Sequence, residues 1–455
     1  MAEALQREWS LPVLKVFLDA SSADPQVRIR LLTHHDGQPS LEGEWTHLLS
    51  EFGSWSSDRG RGPELQPPQG AVKQIAEWVH NRLGPRAELW LHLVKPYAHL
   101  GALDWEGELQ PALGVPLLRL PDVFPIPEIH RSVVTVAVCA SGPAVKGPPP
   151  ALEALPLIAR AFASIGREVR FHIFADEAAG TMAGLPDLEG VTVEVHNPVD
   201  APAPADLWPG VVNPWLRWML AARDDATDVV HFVGHGYYGN EQGWLALAGA
   251  PRGDRSSASH IGSNELASFL TSMGAAAVGF SNTPDNYSPP GLRALVDALG
   301  ASRAGPVLLH SPESDPEGAQ LQGAYGFLFG ERGRRPPPNP SLLFFCQPDR
   351  LPRKVVRGLE PIKEETPIDD LGATSSVRDY FAGQAAGQPK WVAVTERFLD
   401  QHRANLLRQR TSSEDPRTET PLDAYSEGVE AALREIRGIV DRHVPAPPAV
   451  TTSSG

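Results

Sequence analysis

The stretch that decides the fold is Val229-Val230-His231-Phe232-Val233-Gly234-His235-Gly236-Tyr237-Tyr238-Gly239. Its first half is a short apolar run of the kind that forms a fully buried strand. Its second half places His235 between two glycines. Open α/β sheets form their ligand sites beyond the carboxyl ends of the parallel strands. The stretch therefore predicts a central buried strand that carries His235 at the edge where a site would form.

The glycines of this stretch also spell a dinucleotide-binding motif. Gly234 to Gly239 matches G-x-G-x-x-G, in which a helix must begin among the glycines and meet the pyrophosphate. Residues 240–250 instead have the pattern of a hairpin, which argues against that motif. We expect Gly234 and Gly236 to leave the His235 ring uncrowded, so that it can act as a base. His231 lies inside the strand and is predicted to be a core histidine, and a purely structural His235 is the alternative.

Strands and helices alternate on both sides of this stretch. The predicted strands include residues 133–138, 169–174, 191–195, 275–280, 306–309 and 342–345. The predicted helices between them include residues 151–165, 264–273, 291–299 and 316–329. This rhythm favours an α/β fold with a mostly parallel sheet that is covered by helices on both faces.

We divide the chain into four parts. Residues 1–125 form an N-terminal α/β portion, with a hairpin, a helix over 71–83 and a strand over 87–94. Residues 126–350 form the main α/β domain. Residues 351–444 form a helical extension, whose apolar stripe packs on the main domain or docks a partner. Residues 445–455 are predicted to be a disordered tail.

Composition excludes several classes of protein. The 455 residues carry 40 basic and 55 acidic side chains, so the formal net charge is −15. That excess would repel nucleic acid. The N-terminus lacks the basic start of a signal peptide, and no run of about 18 apolar residues could cross a membrane. The two cysteines fit a reducing compartment, so we expect a cytoplasmic protein with neither a nucleic-acid nor a membrane partner.

The order of the motifs resembles a known family. A strand, Gly-His-Gly, a hairpin, a helix and a second apolar strand with a small polar cluster are similar to the CHAT family of bacterial caspase-like peptidases. Leu103-Asp104-Trp105-Glu106 resembles the family's Pro-Trp-Glu-type element, and residues 304–309 resemble the strand that follows its nucleophile. The resemblance covers residues 10 to 346. It implies a caspase-like fold and a bacterial signalling or defence setting.

The family's catalytic cysteine is missing from the expected position. In the family, the histidine of Gly-His-Gly, here His235, activates a cysteine at the end of the next strand. That strand end reads Ala277-Val278-Gly279-Phe280-Ser281-Asn282-Thr283-Pro284-Asp285. Asn282 or Thr283 stands where the family carries its thiol. Ser281 lies in a near match to the G-x-S-x-G elbow of serine hydrolases, but the closing glycine is absent.

Two functions follow from this departure. The first is a degenerate peptidase that binds a peptide or partner protein through a rim of residues 234–240 and 281–287, which includes Asn286. The alternative is an active peptidase with His235 as base and Ser281, Thr283 or Cys346 as nucleophile. Acidic residues after the two strand ends either line a pocket for a basic side chain or are solvated: Asp285, Glu313 and Asp315.

Other chemistry lacks sequence support. The chain contains no His-Glu-x-x-His, no paired C-x-x-C and no Gly-Lys-Ser/Thr phosphate loop. These are the short motifs on which zinc hydrolysis and nucleotide hydrolysis commonly depend. Cys139 is predicted to be a small buried hydrophobe. The sequence therefore predicts neither a metal nor a cofactor.

Overall fold

The computed structural model describes residues 10–19, 24–35, 38–54, 64–83, 88–95, 97–122, 132–143, 151–176, 185–201, 208–223, 226–239, 242–252, 255–283, 288–330 and 338–347. These residues form a mixed α/β structure with a large, mostly parallel central sheet and helices on its faces. The predicted fold class is confirmed, and the architecture is consistent with a caspase-like α/β fold. The helical extension predicted over 351–444 and the tail predicted over 445–455 lie outside the described residues.

The strands alternate with helices along the chain as the sequence pattern predicts. In chain order the strands are β1 (Ser10–Asp19), β2 (Gln26–His35), β3 (Gln38–Leu48), β4 (Gly53–Ser54), β5 (Glu64–Leu65), β6 (Leu89–Val94), β7 (Leu117–Arg119), β8 (Val133–Ala140), β9 (Glu168–Ala175), β10 (Val191–His196), β11 (Val229–Gly239), β12 (Gln242–Ala248), β13 (Ala258–Ile261), β14 (Ala277–Asn282), β15 (Val307–His310) and β16 (Leu342–Phe345). The hairpin predicted after β11 is confirmed, because β12 pairs with β11 antiparallel.

Seven α-helices lie within the described residues, and several of them have clear capping residues. The seven helices are α1 (Gln69–Arg82), α2 (Trp105–Leu113), α3 (Ala151–Ala163), α4 (Pro214–Ala222), α5 (Ser263–Met273), α6 (Pro289–Ser302) and α7 (Ala319–Phe329). The Asn213 side chain caps α4 by accepting from two backbone N–H groups, and Ser288 caps α6 through the N–H of Gly291. Gly274 ends α5 with a φ of 68°, a left-handed conformation that favours glycine.

The main sheet contains two parallel blocks that run in opposite directions. Its order is β10-β9-β8-β11-β14-β15-β16-β7-β6-β1-β2-β3. The strands from β10 to β15 are mutually parallel, and so are those from β16 to β1, whereas β15 and β16 are antiparallel. The boundary predicted near residue 125 therefore falls within one continuous sheet.

Apolar side chains cover both faces of the sheet. One cluster packs beneath α3 and α7, a second beneath α4, α5 and α6, and a third joins β1, β2 and β6 to α1 and α2. None of the helices in the described ranges is both long and apolar enough to cross a membrane.

A buried ion network joins the N-terminal portion to the main domain. Arg119, at the end of β7, is 1% exposed. Its guanidinium donates to Glu106 at 2.7 and 3.2 Å and to Asp297 of α6 at 2.8 Å. Tyr97 also donates to Asp297 at 2.7 Å, and Arg293 of α6 contacts Glu106. Side chains from both halves of the chain therefore share one set of buried charges.

The network gives a structural role to Glu106, the last residue of the segment that begins at Leu103. Burial alone would raise the pKa of Glu106, but the charges of Arg119 and Arg293 outweigh that effect and hold the pKa below its ordinary value. Trp105 is fully buried and donates from Nε1 to the carbonyl of Leu100 at 2.8 Å. Glu106 therefore has a structural role at the contact between the two portions, and Trp105 belongs to the apolar core of the N-terminal portion.

We expect Arg119→Met to destabilise the protein by about 3–5 kcal/mol, because it leaves the Asp297 carboxylate buried without its cation. Arg28→Met is the control, since its ion pair with Asp19 is partly exposed and should be worth less than about 1 kcal/mol. Chemical denaturation measures the free energy of unfolding of both variants. If both substitutions lowered the free energy of unfolding equally, the buried network would have no special stabilising role.

Candidate functional site

The register of two parallel strands brings His235 and Thr283 together. β11 pairs with β14 so that Gly234 lies opposite Asn282. His235 and Thr283 are the next residues, at the carboxyl edge of the sheet, and are 8% and 3% exposed. Thr283 Oγ1 lies 3.4 Å from both Nδ1 and Nε2 of His235. Of the two positions that the sequence left open for the missing thiol, Thr283 is the one that faces the histidine.

This contact has poor geometry for catalysis. An oxygen that is equally far from both ring nitrogens lies off the Cε1 edge or over the ring face, and along neither nitrogen lone pair. A general base must share a directed hydrogen bond with the hydroxyl it activates, at about 2.6–3.2 Å. The His235 ring would have to rotate before it could accept the Thr283 proton. As observed, the Thr283 hydroxyl is not activated.

The two glycines that flank His235 are packing positions. A Cβ on Gly236 would lie 2.2 Å from the Ser288 carbonyl oxygen and 2.7 Å from the Leu292 nitrogen, at the start of α6. A Cβ on Gly234 would lie 3.0 Å from the Leu245 side chain of β12. Both glycines are buried. The sequence predicts that these glycines leave the His235 ring uncrowded, whereas in the structure they allow α6 and β12 to pack closely on β11.

Ser281 faces a different pair of histidines. Its Oγ lies 2.9 Å from His231 Nε2 and 3.3 Å from His310 Nδ1. All three residues are at most 1% exposed. His310 ends β15, directly opposite Ser281 in the β14–β15 register. The structure therefore places Ser281 in a buried polar cluster, and it does not bring Ser281 to His235.

Two further side chains complete this cluster as a relay. The Tyr325 hydroxyl of α7 lies 2.5 Å from His231 Nδ1, and Asp315 Oδ2 lies 3.2 Å from His310 Nε2. Gly279 makes room for the first contact, since a Cβ there would lie 2.3 Å from the Tyr325 oxygen. We call the five residues Tyr325, His231, Ser281, His310 and Asp315 the buried relay.

The ionised Asp315 carboxylate at one end of the buried relay sets the direction of its hydrogen bonds. Burial alone would raise the pKa of Asp315, but hydrogen bonds from His310 and from the N–H groups that begin α7 hold it below its ordinary value. The ionised carboxylate favours the His310 tautomer that carries its proton on Nε2, and His310 Nδ1 is then the acceptor that faces Ser281. Ser281 then donates to His310 and accepts from His231 Nε2–H. Tyr325 donates to His231 Nδ1, so every polar atom along the path is satisfied.

The relay contains the residue types of a serine hydrolase triad, but a substrate cannot reach them. Ser281, His310 and Asp315 follow the hydroxyl, imidazole and carboxylate order of such a triad. Ser281 is fully buried, however, and a nucleophile must reach its substrate. Burial lowers the pKa of His231 to about 3, so it stays neutral. The prediction that His231 is a core histidine is confirmed.

Asp315 does not line a pocket for a basic side chain. It is 5% exposed, and its Oδ2 accepts from His310 and from the backbone N–H groups of Gln320 and Leu321. The carboxylate is thus committed to the relay and to the first turn of α7, whereas Glu313 is exposed. Asp285 and Asn286 lie outside the described residues.

Neither cysteine reaches His235. Phe345 of β16 pairs with Val307, at the amino-terminal end of β15, so Cys346 lies at the sheet edge opposite to His235. Cys139 lies within β8 at 0% exposure, where burial and the Asp176 charge raise its thiol pKa. The structure therefore does not support Cys346 as the unrecognised nucleophile.

A cavity of about 570 Å³ opens beside the strand ends. It is lined by Asn282 and Ser311, which end or follow β14 and β15, and by residues of the N-terminal portion. Its charged lining residues are Asp104, Glu108 and Arg293, of which Arg293 is paired with Asp104 at 3.1 Å. The cavity therefore offers the Glu108 carboxylate, the Asp104–Arg293 ion pair and several hydroxyl groups to a ligand.

Sequence reasoning missed His310 and Tyr325. The available signal for His310 was its place at the end of an apolar strand, next in order to the strand of Ser281. Tyr325 had no comparable signal, because its apolar helix gives no indication of which side chain will lie over β11.

Ser281→Ala should destabilise the fold by about 2–4 kcal/mol, because it leaves an acceptor on His310 and a donor on His231 buried without partners. Ser302→Ala is the control, since that exposed hydroxyl bonds only within its own helix and should matter by less than about 0.5 kcal/mol. Urea titrations compare the two. A Ser281 variant as stable as the control would refute the relay.

Acid should destabilise the protein partly through His231. The native ring stays neutral down to a pKa of about 3, whereas the unfolded chain binds a proton near pH 6.5. Stability is therefore lost as the pH falls below 6.5, by about 2 kcal/mol between pH 7 and 5. His231→Gln should remove that part of the pH dependence. An unchanged difference in unfolding free energy between the two pH values would show that His231 is protonated in the native state.

No family model, curated protein or solved structure matches the chain. The resemblance to caspase-like peptidases therefore stays a prediction.

Proposed function

We propose that this chain is a degenerate caspase-like peptidase, which binds a peptide or a partner protein at the carboxyl edge of β11 and β14 without cleaving it. The observation that carries the proposal is the residue opposite His235. Thr283 stands there in place of a thiol, and its hydroxyl is aligned with neither ring nitrogen. We place the protein in a bacterial signalling or defence system, as the resemblance implies.

The chemistry of the hydroxyl supports binding over cleavage. A thiol is a few per cent ionised near neutral pH and is intrinsically nucleophilic, whereas an alcohol needs an aligned base. The better-aligned hydroxyl, Ser281, is enclosed in the buried relay. In subtilisin, loss of the nucleophile or its histidine costs about six orders of magnitude in turnover.

We propose that the peptide binds at the cavity beside Asn282. Its volume of about 570 Å³ lies within the range of small-ligand sites, so it can hold one or two side chains of a bound peptide. The carboxylates of Asp104 and Glu108 would face that peptide from the N-terminal portion. A bound peptide would therefore contact both portions of the chain.

One observation favours the second candidate, an active peptidase that uses Thr283. Catalytic hydrogen bonds are often long in structures without substrate, and 3.4 Å is within reach of such a contact. Rotation of the His235 ring on substrate binding would be required.

Peptide hydrolysis separates the two candidates. We expect the wild-type protein and His235→Ala to cleave a mixed library of fluorescence-quenched peptides no faster than buffer does. Cleavage by the wild type that both His235→Ala and Thr283→Ala abolish would overturn the proposal and establish Thr283 as a nucleophile.

A restored thiol tests the geometry of the pair. The cysteine in Thr283→Cys should react with iodoacetamide about tenfold faster than the one in Thr283→Cys/His235→Ala, because a neighbouring imidazole raises the thiolate fraction. The wild type supplies the baseline for Cys139 and Cys346, which both variants retain. Equal rates in the two variants would show that His235 does not act on position 283.

The binding location has its own test. Peptides selected from a display library on the full chain should bind Ser314→Trp at least about tenfold more weakly, because Ser314 lines the cavity. Glu317→Trp is the control, since Glu317 is exposed on the same loop but outside the lining. Equal affinity for both variants would place the bound peptide elsewhere.

A further inference from the structure

Three possible metal ligands meet at the far edge of the sheet. His172 lies on β9, and Glu194 and His196 lie on β10, the terminal strand of the described sheet order. The ligand atoms of all three lie within 4.8 Å of one another. The register explains the cluster: Glu194 pairs directly with His172, and His196 is two residues further along the same face of β10.

The spacing of the donor atoms matches a metal coordination shell. His172 Nδ1 lies 3.3 Å from His196 Nε2 and 3.4 Å from Glu194 Oε2. Glu194 Oε1 lies 3.9 Å from His196 Nε2. Ligands about 2.0–2.1 Å from a tetrahedral zinc ion stand about 3.3 Å apart. The two imidazole nitrogens therefore stand at the separation of two zinc ligands, and Glu194 presents one carboxylate oxygen to each of them.

The surroundings hold the ligands and leave one side open. The His196 ring stacks on Phe174 with centroids 4.3 Å apart and an angle of 7° between planes. Phe174 packs in turn on Trp218. The side chains of His172 and His196 are 16% and 14% exposed, whereas that of Glu194 is 58% exposed. A fourth ligand, such as water, can approach from the solvent side.

We propose that His172, Glu194 and His196 bind a divalent transition-metal ion of the zinc type. Two imidazoles and one carboxylate are a ligand set found in zinc enzymes, whereas Mg²⁺ and Ca²⁺ prefer oxygen ligands to imidazole nitrogen. The site is separate from His235: β10 lies three strands from β11, which corresponds to about 14 Å. No short sequence motif predicts this metal site, because one ligand lies more than twenty residues before the others.

Metal binding to the full chain tests the proposal directly. After EDTA treatment and dialysis, titration calorimetry with ZnCl₂ should detect one site of micromolar affinity or tighter. Glu194→Gln should weaken that site at least about tenfold, and His172→Ala/His196→Ala should abolish it. Excess Mg²⁺ should not compete. Cobalt substitution should produce the visible absorption of a tetrahedral ion, which the double variant should lack.

A matched pair elsewhere in the chain provides the control. His47 Nδ1 contacts Glu51 Oε2 at 3.1 Å, the same kind of pair, but it is absent from the three-ligand cluster found among the described residues. His47→Ala should bind zinc like the wild type. The proposal is wrong if the wild type binds no zinc, or if the double variant binds it as tightly. Either outcome would mean that the three side chains only keep an edge strand from pairing with another chain.

Discussion

The architecture depends on a single buried guanidinium. Arg119 ends the short strand β7, and it is bonded at once to Glu106 of the N-terminal portion and to Asp297 of α6. Charges without water must be paired, so these side chains dictate how α2 and α6 meet. That contact links the two parallel blocks of the sheet, which meet between β15 and β16. It also positions the cavity, whose walls come from both portions.

The candidate site follows from strand register within this frame. Side chains alternate between the faces of a strand, so His231 and His235 share a face of β11 with Ser281 and Thr283 of β14. The inner members form the buried relay, and the outer members meet at the sheet edge. One pattern of alternation thus separates the buried relay from the pair at the sheet edge, over four residues of β11 and two of β14. This separation is the reason that the most serine-protease-like residues belong to the core.

Much of the fold was predictable because its signals are local. Apolar runs and helical stripes predict the parallel strands, their helices and the hairpin after β11. The position of His235 at the carboxyl edge was predictable for the same reason. The packing role of Gly234 and Gly236 was not, because it requires knowing that α6 approaches to within van der Waals contact of β11. For Asp315 the sequence left a pocket-lining acid or a solvated one open, yet its carboxylate is bonded to His310 and to the N–H groups that begin α7, which sequence spacing cannot show.

The sequence by itself determined the α/β class, the histidine at the strand end and the absence of a cysteine beside it. These properties depend on residue type and short-range periodicity. Only the tertiary structure decided that Thr283 faces His235, that Ser281 and Asp315 belong to a relay, and that Cys346 lies at the opposite edge. It also brought His172 to Glu194 and His196. These relations depend on strand order and register, which are set by contacts between residues far apart in the chain.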